Sequence, residues 1–188
     1  MIPLVVPYTQ LRPETRAGLV GEDAIFVDVS DDKSRYFWLL EALWYRNEGS
    51  IIVEHDIVVN PDTIASLRDC TEDWCGAPYQ VGANIGSWLG CTKFSPALMN
   101  RHRDVFDKME STDWNSLDGQ LLPFLRLHGE HLHKHWPAVT HLNDCGDPER
   151  VLTSCPCGGP IRFEQVKNGP GTVQCTRCRG YVSFYPFG

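Results

Sequence analysis

What the chain has little of narrows its class first. Basic residues are outnumbered, with 17 Lys and Arg against 24 Asp and Glu for a formal net charge of -7, which disfavours a general binder of polyanions. Long apolar runs are missing too. The opening segment Met1-Ile2-Pro3-Leu4-Val5-Val6-Pro7 has no basic n-region, and its hydrophobic stretch is too short and too broken by proline for a signal or membrane segment. A soluble, cytoplasmic protein with no membrane partner is the expectation. There is no internal repeat and no low-complexity tract, which sets aside repeat arrays and disordered linkers.

What is present is a core. Hydrophobic residues make up 42% of the chain, six Trp among them, as in a globular protein. Its 188 residues allow one ordinary domain and a small appendage; a domain of about 150 residues buries about 68–70% of its unfolded surface. The eight cysteines read as thiols and metal ligands, because a reducing cytosol disfavours cystines.

The first seventy residues alternate strand and helix. Leu4-Val5-Val6 is a short aliphatic strand, and Pro13 to Leu19 is a helix opening on proline. Ala24 to Val29 is a second strand with Asp28 near its end. Ser30-Asp31-Asp32 offer caps for a helix reaching about Arg46, on which Tyr36, Phe37, Leu40, Leu43 and Trp44 form a broad apolar face. Ser50 to Asp62 comes next and organises the rest. Ile51 to Val53 and Ile57 to Val59 read as a strand buried on both faces, interrupted by Glu54 and Asp56. Two residues apart in an extended chain, these acids would point the same way, and unpaired they would be costly to bury, so a cation is expected beside them. Asn60-Pro61-Asp62 reads as a helix start: cap, proline at the first position, and an acid favourable to the dipole. The pattern predicts an α/β fold with a mostly parallel sheet, flanking helices and right-handed crossovers, with ligands at the carboxyl ends of the strands.

Farther on, Trp74 and Tyr79 read as packing residues. Trp88 to Phe94 reads as a strand, Ser95-Pro96 as a capped helix start, and Asp113 to Leu127 as a helix ended by His128-Gly129. His131, His133 and His135 alternate, suggesting an extended segment with one His-bearing face. Asn143 to Glu149 is rich in turn formers and marks a boundary between a domain over 1–145 and a smaller one over 150–188. In the second, Cys155 and Cys157, then Cys175 and Cys178, form two close pairs each followed by glycine. They fit a tetrahedral structural Zn²⁺ site, a small β zinc ribbon, filled by protein and so without catalytic space. Cys70, Cys75, Cys91 and Cys145 lack paired metal spacing and read as buried thiols. Glu54 and Asp56 suit a hard ion, Mn²⁺ or Mg²⁺, with phosphate oxygens completing its shell.

Val6-Pro7-Tyr8-Thr9, Tyr36-Phe37-Trp38-Leu39-Leu40 with Leu43-Trp44, Ile52 to Ile57, Trp74 to Tyr79, Leu89 to Phe94 and Pro137 to Leu142 together resemble small GT-A-type glycosyltransferases of phage and actinobacterial type. The likeness covers roughly residues 3 to 142. It implies a GT-A-like, Rossmann-like fold and a metal-dependent transferase using a nucleotide-sugar donor, a uridine-diphosphate sugar being expected. The acceptor would be a hydroxyl on a protein, a glycan or a modified nucleic acid. Glu54-His55-Asp56 occupies the place of the family's DxD-type acidic motif, with Glu for the first Asp. By the resemblance Asp56 is the principal ligand of Mn²⁺ or Mg²⁺, Glu54 a metal or ribose contact, and His141 a further ligand, with His131, His133 and His135 as weaker candidates. Asp118 would be the catalytic base of an inverting transfer, or else an acid at a helix start. Tyr8, Thr9 and Asp28 would contact the base and ribose. A phage-encoded member would act in the host cytoplasm. The alternative is a non-catalytic, transferase-like adaptor whose zinc ribbon binds nucleic acid or protein.

Overall fold

A computed structural model describes residues 2–81, 84–136 and 138–142, together with the backbone of 171–174 and 181–184. The chain opens with β1 (Leu4–Tyr8), α1 (Pro13–Gly18), β2 (Ala24–Asp28), α2 (Arg35–Arg46), β3 (Ser50–Val53), β4 (Ile57–Val58) and α3 (Pro61–Asp69). It continues through β5 (Trp74–Gly76), β6 (Tyr79–Val81), β7 (Asn84–Gly86), β8 (Cys91–Phe94), α4 (Pro96–Arg101), a 3-10 turn at Phe106–Lys108 and α5 (Trp114–Leu127). Last come β9 (His133–Lys134), β10 (Thr140–His141), β11 (Gly171–Gln174) and β12 (Tyr181–Phe184).

Six strands form the central sheet in the order β2-β1-β3-β8-β5-β9. β1 pairs in parallel with β2 and β3, and β5 with β9, while β8 is antiparallel to both its neighbours. Five of the six strands therefore run one way, and the expected mostly parallel α/β sheet is what forms. Helices cover both faces, as the unbroken aliphatic runs require. Val5 and Ile52 pack into one core with Leu40 and Trp44 of α2, Leu98 of α4 and Leu117, Leu121 and Leu125 of α5. Leu4, Val6, Ile51 and Val53 pack into the other with Ile64 and Leu67 of α3.

The chain leaves β1 for β2 on one side and comes back to β3 on the other, so the strand order reverses at β1. β1 keeps register with β2 from Leu4↔Ala24 to Tyr8↔Asp28, but with β3 only at Leu4↔Ile51 and Val5↔Ile52. Pro7, lacking an N–H, sits where the second ladder has stopped. The fork between the carboxyl ends of β1 and β3 is thus left open, at the switch point where open α/β sheets place ligands.

One expectation is corrected here. Ser50 to Val59 is not a single interrupted strand: Ile57 N–H donates to the Glu54 carbonyl at 3.0 Å, closing a turn over Glu54-His55-Asp56. After the turn β4 leaves the main sheet and pairs antiparallel with β10, Thr140↔Val58 and His141↔Ile57. The strand expected from Trp88 is also shorter, beginning at Cys91. The helix starts agree with the reading. Ser95 Oγ accepts from Leu98 N–H at 3.0 Å, and Asn60 Oδ1 accepts from Thr63 N–H at 2.8 Å and Thr63 Oγ1 at 3.0 Å. The boundary at 143–149 and Cys155, Cys157, Cys175 and Cys178 lie outside the described residues. β11 and β12 pair antiparallel with Gln174↔Tyr181 as the innermost pair.

Asn60 carries two of the bonds that start α3, whose Ile64 and Leu67 close one core. Asn60→Ala is therefore expected to lower stability by about 1 kcal/mol, read as a lower urea midpoint with an unchanged m-value. An unchanged midpoint would show that the cap contributes nothing.

Candidate active site

The fork opens into a cavity of about 430 Å³ lined by Pro7, Thr9, Val29, Tyr36, Glu54, His55, Asp56, Trp114, Asn115 and Asp118. Three different segments bring three carboxyl groups to it. Glu54 follows β3 and is held by Tyr36 of α2, whose hydroxyl donates to Glu54 Oε1 at 2.9 Å. Asp56 sits in the turn, with His141 Nε2 of β10 against its Oδ2 at 3.2 Å. Asp118 lies in the second turn of α5, and its Oδ1 accepts from Leu89 N–H at 2.8 Å. The helix-start role belongs instead to Asp113, which accepts from Asn115 N–H at 2.9 Å. Asp118 is therefore a buried cavity acid and not an N-terminal one.

Their surroundings make the three acids unequal. Burial pushes Glu54 above the ordinary glutamate value, and the negative charges of Asp118 and Asp56 push it the same way. Burial likewise raises Asp118, against the pull of the Leu89 N–H and of Arg126. Asp56 goes the other way: burial works against its charge, but the His141 hydrogen bond and the nearby His55 and His141 hold it below the usual aspartate value. Asp56 is the acid held most firmly in its ionised form, and its Oδ1 is buried without a hydrogen-bond partner. Among the described residues, no lysine or arginine lines the cavity.

Tyr79 backs this wall. Gly90 N–H donates to the Glu54-facing Tyr79 hydroxyl at 3.1 Å, and Glu54 N–H donates to the Gly90 carbonyl at 2.9 Å. A Cβ on residue 90 would lie 2.5 Å from that hydroxyl and 3.1 Å from Glu54 Oε2, so only glycine fits there.

Of the residues singled out from the sequence, Thr9, Glu54, Asp56 and Asp118 meet at the cavity, and His141 stands behind Asp56. Tyr8 and Asp28 pair at the adjacent strand ends but do not line it. Asp28 Oδ1 is taken by Ser30, from its N–H at 2.9 Å and its hydroxyl at 2.6 Å. Glu54, Asp56 and His141, expected as ligands of one ion with Glu54 alternatively a ribose contact, are not a set whose ligand atoms all lie within 4.8 Å of one another. Among the described residues, such a set of three or more, all within 4.8 Å, is made by Cys70, Cys75 and His135. His133 and His135 sit beside Cys70 and Cys75, away from the cavity's lining. Sequence reasoning missed Tyr36 as a donor to Glu54, because its place on the apolar face of α2 accounts for it as packing. Trp114 and Asn115 were missed with it, and their only signal was proximity to Asp118.

The raised Glu54 has a stability consequence with a definite sign. Between the ordinary value of 4.5 and its higher folded value, the folded state holds a proton the unfolded chain has lost, so stability falls as pH rises through that window. Glu54→Gln keeps an acceptor for Tyr36 and removes the window. The variant should melt above the native protein at pH 8, with the difference shrinking towards pH 4. Equal melting temperatures across that range would contradict the burial of this acid.

No family model and no curated protein matches the sequence. Solved structures similar to it include the following two. The crystal structure of A197 from STIV has a TM-score of 0.49 at 11% identity, covering 98% of this chain and 95% of that one. A glycosyltransferase involved in the glycosylation of the major capsid of PBCV-1 has a TM-score of 0.42 at 16% identity, covering 73% of this chain and 83% of that one. At these values neither likeness decides what this chain does.

Proposed function

We propose that the chain is a divalent-cation-dependent glycosyltransferase, moving a sugar from a nucleoside-diphosphate sugar to an acceptor hydroxyl. The observation that carries this reading is Asp56 Oδ1, buried and unpartnered, on a residue lining a cavity walled by three acids and, among the described residues, by no lysine or arginine. A pyrophosphate would be repelled by that wall unless a cation came with it. A lone ionised carboxylate with room beside it fits Mg²⁺ or Mn²⁺, which are usually held by one or two carboxylates together with substrate phosphates and waters. When bound, the ion would neutralise charge developing on the departing diphosphate.

The protein's own groups divide the remaining work. His141 occupies Oδ2 of Asp56 and leaves Oδ1 without a hydrogen-bond partner, the oxygen proposed to take the ion. Glu54, neutral or sharing a proton with its neighbours, is placed by Tyr36 to contact the ribose or the ion's outer shell. Asp118, raised towards neutrality by burial, would accept the proton of the attacking hydroxyl in an inverting transfer. Thr9 lies within the cavity, with Tyr8 and Asp28 at neighbouring strand ends where a base and ribose could rest. A uridine-diphosphate sugar is the proposed donor, and the acceptor is a hydroxyl on protein, glycan or modified nucleic acid. Cys155, Cys157, Cys175 and Cys178 are proposed to hold a structural Zn²⁺. Their spacing supports this, as does a hairpin whose innermost pair, Gln174↔Tyr181, brackets the second cysteine pair in sequence.

Incubation with Mn²⁺ and a panel of nucleotide-sugars should release nucleoside diphosphate. Asp56→Asn should abolish this release without unfolding the protein, and Asp118→Asn should lower kcat by about 10²–10⁴-fold. Absence of turnover across the panel, or full activity in Asp56→Asn, would overturn the proposal; the latter is what the adaptor alternative expects of its binding.

A further inference from the structure

A second cluster of chemistry-bearing side chains lies at the far edge of the sheet, outside the cavity. Cys70 caps the end of α3, Cys75 is central in β5, His133 opens the edge strand β9 and His135 directly follows it. The topology brings them together. β5 and β9 pair in parallel with Cys75 opposite His133, and His135 N–H donates to the Gly76 carbonyl at 2.9 Å. The alternation of β9 then puts both histidines on one side, their rings 4.8 Å apart. The ligand atoms of Cys70, Cys75 and His135 all lie within 4.8 Å of one another, and His133 Nδ1 lies 3.3 Å from Cys70 Sγ.

We infer that Cys70, Cys75 and His135, with His133 as the fourth donor, form a tetrahedral zinc site separate from the cysteines of the tail. The donor set is the sulfur and imidazole mixture that Zn²⁺ prefers. At Zn–S distances of about 2.3 Å and Zn–N distances of about 2.0–2.1 Å, tetrahedral S and N ligands stand about 3.5 Å apart. The Cys70–His133 separation is already near that edge length. The second observation is His135 Nε2, buried and without a hydrogen-bond partner. A buried imidazole nitrogen left unsatisfied is costly, and an ion between it and the two sulfurs removes that cost. A Cys70–His133 nucleophilic pair would use only two of the four groups and leave that nitrogen unexplained.

The site would act as a clasp. β9 is only two residues long and lies at the sheet edge, and two stretches some sixty residues apart in sequence meet at the cluster. The segment leaving β9 reaches His141 six residues after His135, so the clasp also fixes the root of the strand that orients Asp56.

The test is zinc content of the full chain, purified in reducing, zinc-supplemented buffer. About two zinc ions per chain are expected. Cys155→Ser with Cys175→Ser should retain about one, and Co²⁺ in its place should give the visible absorption of a tetrahedral thiolate site. Adding Cys70→Ser, or His133→Ala with His135→Ala, should remove that ion, whereas His131→Ala should not. The proposal is overturned if the tail variant holds no zinc, if its zinc survives both sets of added substitutions, or if Cys70 and Cys75 are recovered as a disulfide. Should the tail variant fail to fold, alkylation of the native chain decides. Cys70 should be labelled slowly with zinc and rapidly after chelation, and equal rates would refute the site.

Discussion

The structure depends most on buried negative charge at the fork between β1 and β3. Glu54, Asp56 and Asp118 arrive there from a turn and a helix separated by some sixty positions in sequence, and among the described residues no lysine or arginine lines the space between them. Such crowding normally destabilises a fold. The protein tolerates it by treating the acids differently: burial and the charges of Asp118 and Asp56 favour a neutral Glu54 against the pull of the Tyr36 hydroxyl, burial raises Asp118, and two histidines keep Asp56 charged. What remains is one firmly ionised carboxylate among the cavity's lining residues, with one oxygen free of hydrogen bonds, a natural seat for a cation that arrives with a phosphate ligand.

The backbone creates that seat by failing to pair. β1 and β3 stay together for two residues and then part, because the β1 strand carries Pro7 and the chain turns at Glu54-His55-Asp56. The turn sends β4 out to meet β10, which is how His141 comes to rest against Asp56. Gly90 lets the opposite loop approach closely enough for its amide to reach Tyr79 and for its carbonyl to hold Glu54. Local features of sequence therefore set the position of the acids, while long-range pairing sets their charge states.

How much of this was legible beforehand follows from the range of the interactions. The layered α/β plan and the helix starts at Asn60 and Ser95 are written in local pattern, and the structure agrees with them; Glu54 and Asp56 stood out as acids inside an apolar run, Asp118 only through the family resemblance, and the three line one cavity. The turn inside Ser50 to Val59 was not legible, since apolar residues flank the acids on both sides and alternation cannot tell a bent chain from a straight one. Tyr36 was hidden for a related reason: a phenol on an apolar helix face counts as packing until its hydroxyl finds a partner. The cluster of Cys70, Cys75, His133 and His135 was the least accessible. Its halves are some sixty residues apart, and only the parallel pairing of β5 with β9 makes them neighbours. The alternation of the histidines was visible, but not what they would face.

The account turns on whether the fork takes a diphosphate through a cation held by Asp56. Calorimetric titration of uridine diphosphate into the protein, with Mn²⁺ and after its removal by a chelator, asks this directly. Saturable binding of one nucleotide that appears only with Mn²⁺ and disappears in Asp56→Asn is the result expected. Binding of equal strength without the ion, or none in either condition, would contradict it.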